Sequence, residues 1–124
     1  MIENEMHVSV LVTCKGIAKE NSIEAICIYG SRACGYARDD SDYDVLLILT
    51  NYSDGVRYFY ERVNGNQLAI LAVDKKALEL DSEKGAFGDF VSGRLMAPYI
   101  PLLNTDYLEE VEFKTKKRFA EEDL

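Results

Sequence analysis

The sequence predicts an α+β fold in which helices flank a mixed β-sheet. Two short apolar runs, 23–29 and 45–49, have the length of buried strands, and a Gly-Ser pair directly follows the first. Two later runs rich in aromatic and β-branched residues flank an Asn-Gly pair, which is a strong signal for a β-hairpin. Segments with helical periodicity surround these strands. The order strand, helix, strand, hairpin and helices therefore predicts one sheet with helices packed on it.

The first predicted element is a helix over 6–20, where alternation between apolar and polar residues leaves a strand as the alternative. Its buried side is predicted to carry Val8, Leu11, Val12 and Ala18. The elements that follow are a strand over 23–29, a short helix over 31–37, a loop to 41, a strand over 42–49, a turn over 51–55, and hairpin strands over 57–63 and 67–73.

The second half of the chain is predicted to be mostly helical. Asp74 has the character of a helix N-cap and Gly85 of a C-cap, which predicts a helix ending near Glu83. A further helix is predicted over 86–96, and two prolines bracket an extended piece after it. The apolar residues expected to face inward from that helix are Phe87, Phe90, Val91 and Leu95.

A last helix is predicted from 104 or 105 onward. Its charged end reaches Leu124 without a capping residue, which suggests that the natural chain extends further. It carries a basic run of Lys114, Lys116, Lys117 and Arg118. This run is either a local patch for an anionic partner or, as we favour, a solvated face paired with the acids four residues earlier.

Size and composition indicate a single domain over 1–124. No segment is apolar over the length of a membrane span, and the acidic N-terminus has no secretory signal, so no membrane partner is expected. Three cysteines without CxxC spacing indicate free thiols in a cytoplasmic protein, and with only His7 available they do not form a zinc site. The net charge of −8 disfavours broad non-specific binding of nucleic acid but permits a nucleotide held through Mg²⁺.

The most informative stretch is GSRACGYARDDSDYD, from Gly30 to Asp44. Gly30-Ser31 ends one predicted strand and begins a helix, while Asp42 and Asp44 open the next strand. Side chains two residues apart on a strand point to the same face, so the two carboxylates are predicted to lie about 6–7 Å apart. Two such carboxylates at a strand edge can bridge divalent cations, which is an arrangement suited to phosphoryl transfer.

This stretch resembles the signature of the nucleotidyltransferases of the DNA polymerase β-like superfamily, a Gly-Ser pair followed by Asp-x-Asp. It is most similar to that of the minimal nucleotidyltransferases of bacteria and archaea, G-S-R-A-R-G-D-A-R-P-D-S-D-I-D-L. The departures spare the motif residues and are Cys34, Tyr36, Asp39, Tyr43 and Val45. The resemblance implies the nucleotidyltransferase fold, covers about residues 20–80, and implies transfer of a nucleoside monophosphate from a triphosphate, with ATP expected, to a hydroxyl.

The resemblance also implies roles for individual residues. Asp42 and Asp44 would hold Mg²⁺ or Mn²⁺ and act in catalysis. Gly30 and Ser31 would contact a phosphate, although Ser31 could instead be the N-cap of the helix. Arg32 and Arg38 are either triphosphate contacts or partners of the neighbouring acids.

A third acid is expected on a strand shortly after the Asp-x-Asp strand, and Ala69 stands at its position. If the hairpin has a three-residue loop, Glu61 lies across from Ala69 and could replace the missing acid as a catalytic residue. If Asn64-Gly65 forms a two-residue type I′ turn, Glu61 faces Leu68 and points away from the site.

Three functions follow from these observations. The first is an active nucleotidyltransferase whose acceptor is a protein, an RNA end or a small molecule. In minimal members the acceptor is implied to be a HEPN-type toxin partner, which would make this chain the antitoxin. The second is a degenerate domain that binds a nucleotide or a protein without turnover, favoured by Ala69. The third is an acidic interaction module. The oligomeric state stays open.

Overall fold

The computed structural model describes residues 4–122. Five strands and four α-helices are present in that range, with one 3₁₀ helix. In chain order they are α1 (Asn4–Ala18), β1 (Ile23–Tyr29), α2 (Ser31–Cys34), β2 (Tyr43–Leu49), β3 (Val56–Val63), β4 (Asn66–Asp74), α3 (Lys75–Lys84), the 3₁₀ helix (Ser92–Leu95), β5 (Ile100–Leu103) and α4 (Thr105–Glu122). Residues 123 and 124 of the expected last helix lie outside the described residues.

The strands form one mixed sheet in the order β3-β4-β2-β1-β5. The central pair β2 and β4 is parallel, whereas the other three pairs are antiparallel. The three inner strands are nearly continuous apolar runs because both faces of the sheet are covered. The fold class predicted from the sequence is therefore confirmed.

Each face of the sheet has its own core. On the α1 face, strand residues such as Ile26, Val45 and Leu47 pack under the helix. On the α3–α4 face, Leu46 and Ile48 pack against Leu78 and Leu108 among others. Because successive strand side chains point to opposite faces, each residue of β2 and its neighbouring strands belongs to one of these two cores.

Helix α1 is present, but the face that it buries differs from the expected one. Met6, Val10, Cys14 and Ala18 form its fully buried stripe, with a spacing of four residues. Val8 and Val12 lie on the opposite side and are 59% and 63% exposed, so the expectation that they are buried is wrong. Two stripes with i, i+4 spacing exist on this helix, and only packing selects between them.

The predicted helix over 86–96 is wrong as well. This segment consists of turns and the 3₁₀ helix, and Phe87 and Phe90 are exposed while Val91 and Leu95 are buried. The buried carboxylate of Asp81 accepts hydrogen bonds from the backbone N–H groups of four residues in this segment, Phe87, Asp89, Val91 and Ser92. In a regular helix these N–H groups would donate to backbone carbonyl oxygens, so their bonds to Asp81 explain why no regular helix forms here.

The other helix boundaries agree with local signals. Asp74 caps α3 by accepting a hydrogen bond from the N–H of Lys76, and Gly85 ends that helix in the left-handed conformation. In α4, Lys114 and Lys116 form ion pairs with Glu110 and Glu112. The interpretation of that basic run as a solvated, paired helix face is confirmed for these two lysines.

The three cysteines are free, with Cys14 and Cys27 buried and Cys34 half-buried. Among residues 4–122, no helix combines the length and the apolar character needed to cross a membrane.

Candidate active site

The two aspartates of the motif lie together at the start of β2. Asp44 is the second residue of β2, and Asp42 is the residue directly before this strand. Asp44 shares the α3–α4 face with Leu46 and Ile48, because strand side chains alternate with a period of two. Asp42 is exposed and Asp44 is half-buried. The structure therefore brings both carboxylates to one edge of the sheet, as the sequence predicts.

Gly30 lies directly beside Asp44. It has a φ of 78° and precedes α2 as its N-cap. A β-carbon built on Gly30 would overlap Asp44 Oδ2 and would lie 3.2 Å from Asp44 Cγ. Glycine is required here both by the positive φ and by this close approach.

Ser31 is the first residue of α2 rather than its cap. No side chain caps this helix, and the Ser31 hydroxyl makes no hydrogen bond to any of residues 4–122. The alternative that Ser31 serves as an N-cap is therefore wrong. The hydroxyl and the first N–H groups of α2, which have no intrahelical acceptor, remain available to a ligand near Asp44.

Arg32 holds the loop that carries the acids. Its Nη2 donates to the carbonyl oxygens of Ser41 at 2.8 Å and Asp39 at 3.3 Å, and its guanidinium lies 4.3 Å from the centre of the Tyr43 ring. It therefore binds backbone carbonyls, not the acidic side chains that were the alternative. The Arg38 side chain is exposed and has no hydrogen bond or ion pair within residues 4–122. The backbone N–H of Arg38 donates to Ser41 Oγ.

Gln67 is a site residue that the sequence analysis missed. Its Nε2 donates to Asp42 Oδ2 at 3.3 Å from the start of β4. A small cavity of about 160 Å³ lies at this point. Its lining comes from the acidic loop and the hairpin end, and includes Asp40, Asp42, Arg62 and Gln67. No sequence motif marks Gln67, because its neighbour Asp42 is reached through the parallel pairing of β2 with β4.

The hairpin decides the position of Glu61. Asn64 and Gly65 both have positive φ, 51° and 77°, and Val63 pairs with Asn66, so the loop has two residues. Glu61 then pairs with Leu68, whose side chain belongs to the α1 face. The hypothesis that Glu61 replaces the third acid is therefore wrong, because its carboxylate is on the opposite side of the sheet from Asp44.

Ala69 is the residue that pairs directly with Asp44, and Tyr60 pairs with Ala69 from the next strand. A side chain at 69 consequently shares the α3–α4 face with Asp44. The position where the resemblance implies an acid is thus occupied by an alanine next to Asp44, with a tyrosine one strand further.

Arg94 is a second residue that the sequence analysis missed. It comes from the 3₁₀ helix, and its guanidinium lies 5.4 Å from the centre of the Tyr29 ring and 4.7 Å from that of Phe90. Its Nε donates to the carbonyl oxygen of Phe90 at 3.0 Å. Burial and the charge of Asp42 raise the pKa of Asp44, and the positive charge of Arg94 acts in the opposite direction.

The donor set at this edge fits a divalent cation. The carboxylates of Asp42 and Asp44 are close enough for the charge of one to act on the other, and neither forms an ion pair with a basic side chain of residues 4–122. Burial and the charge of Asp42 together raise the pKa of Asp44, and a bound cation would relieve the repulsion between the two carboxylates. The part of the chain that the structure describes has no cluster of three or more acidic, histidine or cysteine side chains that could hold a metal. Further ligands would therefore come from substrate phosphates and water, as Mg²⁺ commonly accepts.

Comparison with known proteins agrees with this geometry. The family profile described as "Polymerase beta, Nucleotidyltransferase" matches residues 13–83, more than half of the chain. The chain belongs to this nucleotidyltransferase family. The matched range of the polymerase β-like domain contains the last part of α1, the whole motif up to Asp44 and the complete hairpin.

A crystal structure of a nucleotidyltransferase-like protein from Exiguobacterium sibiricum 255-15 has a similar fold, with a TM-score of 0.65 at 15% sequence identity. The similarity covers 90% of this polymerase β-like chain and 38% of that protein, so the chain spans well under half of its relative's length. No curated protein matches the chain.

Proposed function

We propose that this chain is a metal-dependent nucleotidyltransferase, which transfers a nucleoside monophosphate from a nucleoside triphosphate to a hydroxyl acceptor. The observation that carries the proposal is the contact between Gly30 and Asp44, because it supports a site in which a phosphate held at the Gly30-Ser31 turn lies next to a metal-binding acid. Family membership supports nucleotide chemistry at this place.

Each side chain of the motif has a role in this proposal. Asp42 and Asp44 would hold Mg²⁺ or Mn²⁺, and the bound cation supplies charge neutralisation at the α-phosphate and activation of the acceptor hydroxyl. Ser31 and the first N–H groups of α2 would bind the phosphate tail beside Gly30. Arg38, exposed and unpaired within residues 4–122, would contact the tail as well. Arg32 would act indirectly by holding the 39–41 loop.

Within residues 4–122, neither position considered for a general base on the acceptor side provides one. Ala69 occupies the expected position, and Glu61 is on the other face of the sheet. Transfer is therefore proposed to be slower than in an enzyme with a positioned general base, by up to the factor of about 10²–10⁴ that such a base contributes. This same observation favours a second candidate, a domain that binds a nucleoside triphosphate without transferring it.

The candidates for the acceptor and the partner come from the resemblance. A protein, an RNA end or a small molecule would supply the hydroxyl, and a HEPN-type toxin is the partner that minimal members imply. The pairing of Lys114 and Lys116 with acids of their own helix supports a compact acceptor over extensive contact with a polynucleotide.

Calorimetric titration of the Mn²⁺- or Mg²⁺-loaded protein with each of the four nucleoside triphosphates tests the proposal, with ATP expected to bind. The double variant Asp42→Asn/Asp44→Asn should abolish binding. The control is Asp54→Asn, because Asp54 is an exposed acid whose side chain pairs with Arg57 away from the site. Pyrophosphate release then separates transfer from binding alone. Metal-independent binding, or binding that survives the double variant, would refute the proposed site.

A further inference from the structure

Arg94 carries a positive charge on the α3–α4 face of the sheet, near the acid pair. Its guanidinium lies 5.4 Å from the centre of the Tyr29 ring, and its Nη2 lies 3.5 Å from the hydroxyl oxygen of Tyr58. Tyr29 pairs directly with Asp44 across β1 and β2, whereas Tyr58 is on β3, on the far side of β4. The guanidinium therefore connects the residue beside Asp44 with the acceptor side of the site.

This charge has no acidic partner among the described residues. Arg94 is half-buried, and it forms no ion pair with a carboxylate of residues 4–122. Arg57 and Arg118, by contrast, each pair with an aspartate. The Nε of Arg94 donates to the carbonyl oxygen of Phe90, while its Nη1 makes no hydrogen bond within the same range. The side chain is thus held in place and keeps N–H donors for a ligand.

The residue at the third acidic position supports the same interpretation. Ala69 pairs with Asp44 where the resemblance implies an acid, so this side of the site carries one negative charge fewer than expected. The positive charge of Arg94 is close enough to act on the Asp44 carboxylate, although the two groups do not form an ion pair. A carboxylate at position 69 would repel an anionic acceptor, whereas an alanine and a nearby arginine favour one.

The proposed reaction assigns this region to the acceptor. With the leaving pyrophosphate beside Gly30, in-line transfer brings the acceptor hydroxyl to the α-phosphate from the opposite direction, over β4 and β3. The acceptor oxygen forms a bond to the α-phosphorus, the bond between that phosphorus and the bridging oxygen breaks, and the hydroxyl proton passes to solvent. An acceptor bound there is within reach of the guanidinium beside Tyr58.

We propose that Arg94 binds an anionic group, a phosphate or a carboxylate, of the acceptor whose hydroxyl attacks the α-phosphate. This inference rests on the proposed function and names the acceptor class, a hydroxyl compound with an oxyanion near its hydroxyl. Both oxyanions fit the planar guanidinium, which can donate two parallel hydrogen bonds to either of them.

Three small probes that share a hydroxyl test the role of charge: glycerol, glycerol phosphate and glycerate. Each probe is titrated into the protein with and without Mg²⁺ and α,β-methylene-ATP, a triphosphate analogue that cannot transfer its nucleotide. The amide chemical shifts of the 3₁₀ helix report binding next to Arg94. Saturable binding is expected for at least one anionic probe and not for glycerol, and the preferred probe identifies the group as phosphate or carboxylate.

Arg94→Gln should weaken binding of the preferred anionic probe roughly 10- to 150-fold, which corresponds to the loss of a hydrogen bond to a charged group. Arg94→Lys keeps the charge and should recover part of this affinity, while the affinity for ATP with Mg²⁺ should be unchanged in both variants. Arg57→Gln is the matched control, because Arg57 also lies over a phenylalanine ring but is paired with Asp54. It should bind the probes like the parent protein.

Equal binding of the three probes, or an unaltered probe affinity in Arg94→Gln, would overturn the proposal. A loss of ATP affinity in that variant would overturn it as well, since Arg94 would then contact the triphosphate. Failure of the proposed function has a different signature, because the parent protein would not bind the analogue with Mg²⁺. Binding of an anionic probe that depends on Arg94 would still support the anion site in that case, and its absence would refute both. Thermal unfolding verifies that the variants fold.

Discussion

The Asp44 carboxylate is packed against Gly30 so closely that any β-carbon at position 30 would overlap Asp44 Oδ2. The two residues are fourteen positions apart in the sequence: Asp44 is on β2, and Gly30 directly follows the adjacent strand β1. Their contact brings the Gly30-Ser31 turn next to the acidic part of the motif, where we propose that the triphosphate and its metal bind.

Gly30→Ala should abolish metal-dependent nucleotide binding and lower the free energy of unfolding by about 1–3 kcal/mol, since both the positive φ and the overlap are unfavourable. Gly55→Ala is the matched control, because Gly55 has a φ of 75° with no atom near the added β-carbon. It should show a similar strain cost with normal binding. Calorimetry and thermal unfolding measure the two effects, and normal nucleotide binding by Gly30→Ala would contradict the contact.

Ala69→Asp should restore a third carboxylate beside Asp44. Affinity for Mn²⁺ should rise about tenfold or more, because affinity for such cations increases with the number of carboxylate ligands. The metal-free protein should lose about 1–3 kcal/mol of stability through repulsion among the acids and crowding of a site that is 6% exposed. Ala69→Asn is the isosteric control and should not raise the Mn²⁺ affinity. Equal affinities for the two variants would show that position 69 does not face the acid pair.

Arg32→Ala should loosen the loop that leads into Asp42, since the guanidinium of Arg32 binds two carbonyl oxygens of that loop. Amide hydrogen exchange over 37–42 should become faster, and nucleotide affinity should fall as a consequence. Arg38→Ala should lower the affinity for triphosphate without changing the exchange rates. Identical exchange patterns for the parent protein and Arg32→Ala would exclude the structural role of Arg32.

Asp81→Asn should destabilise the protein by about 2–4 kcal/mol, because four backbone N–H groups, two of them buried and two partly buried, lose their charged acceptor. Burial acts to raise the pKa of Asp81, but these N–H donors outweigh it and hold the pKa below its usual value. An aspartate in the unfolded chain titrates near 3.9. The stabilisation is therefore complete above about pH 5 and is lost as the pH falls through the folded-state pKa.

Chemical denaturation between pH 2 and 7 measures this dependence. The unfolding free energy of Asp81→Asn should vary less with pH in the acidic range than that of the parent protein. Glu83→Gln, an exposed acid on the same helix, should behave like the parent protein. Parallel pH profiles for Asp81→Asn and the parent protein would refute the role of the carboxylate charge.

Only Cys34 should react with iodoacetamide in the folded protein at pH 8. Burial raises the pKa of Cys14 to about 12 and also raises that of Cys27, and the core excludes the reagent from both. Mass spectrometry of the native and urea-unfolded protein identifies the labelled residues, with all three expected to react after unfolding. Rapid labelling of Cys14 in the native state would show that α1 does not pack as described.

Local signals in the sequence were sufficient for much of the fold. The apolar runs of β1 and β2, the Asn-Gly hairpin and the Asp74 cap each depend on residues within one or two turns of chain. Periodicity predicted the wrong buried face for α1, because two stripes on that helix have the same spacing. It also predicted a helix around Phe87, where the distant Asp81 carboxylate instead accepts the backbone hydrogen bonds. These failures share one cause, because propensity and period describe a segment without its surroundings.

The sequence by itself determined the family motif, the adjacency of Asp42 and Asp44 on one strand, and the alanine at the third acidic position. Tertiary structure alone decided that Glu61 lies on the wrong face, because a one-residue difference in turn length moves every strand side chain to the opposite side. It also decided that Gln67 contacts Asp42 and that Arg94 lies near Asp44, since pairing across the sheet and the path of the 3₁₀ segment bring together residues that no local pattern connects.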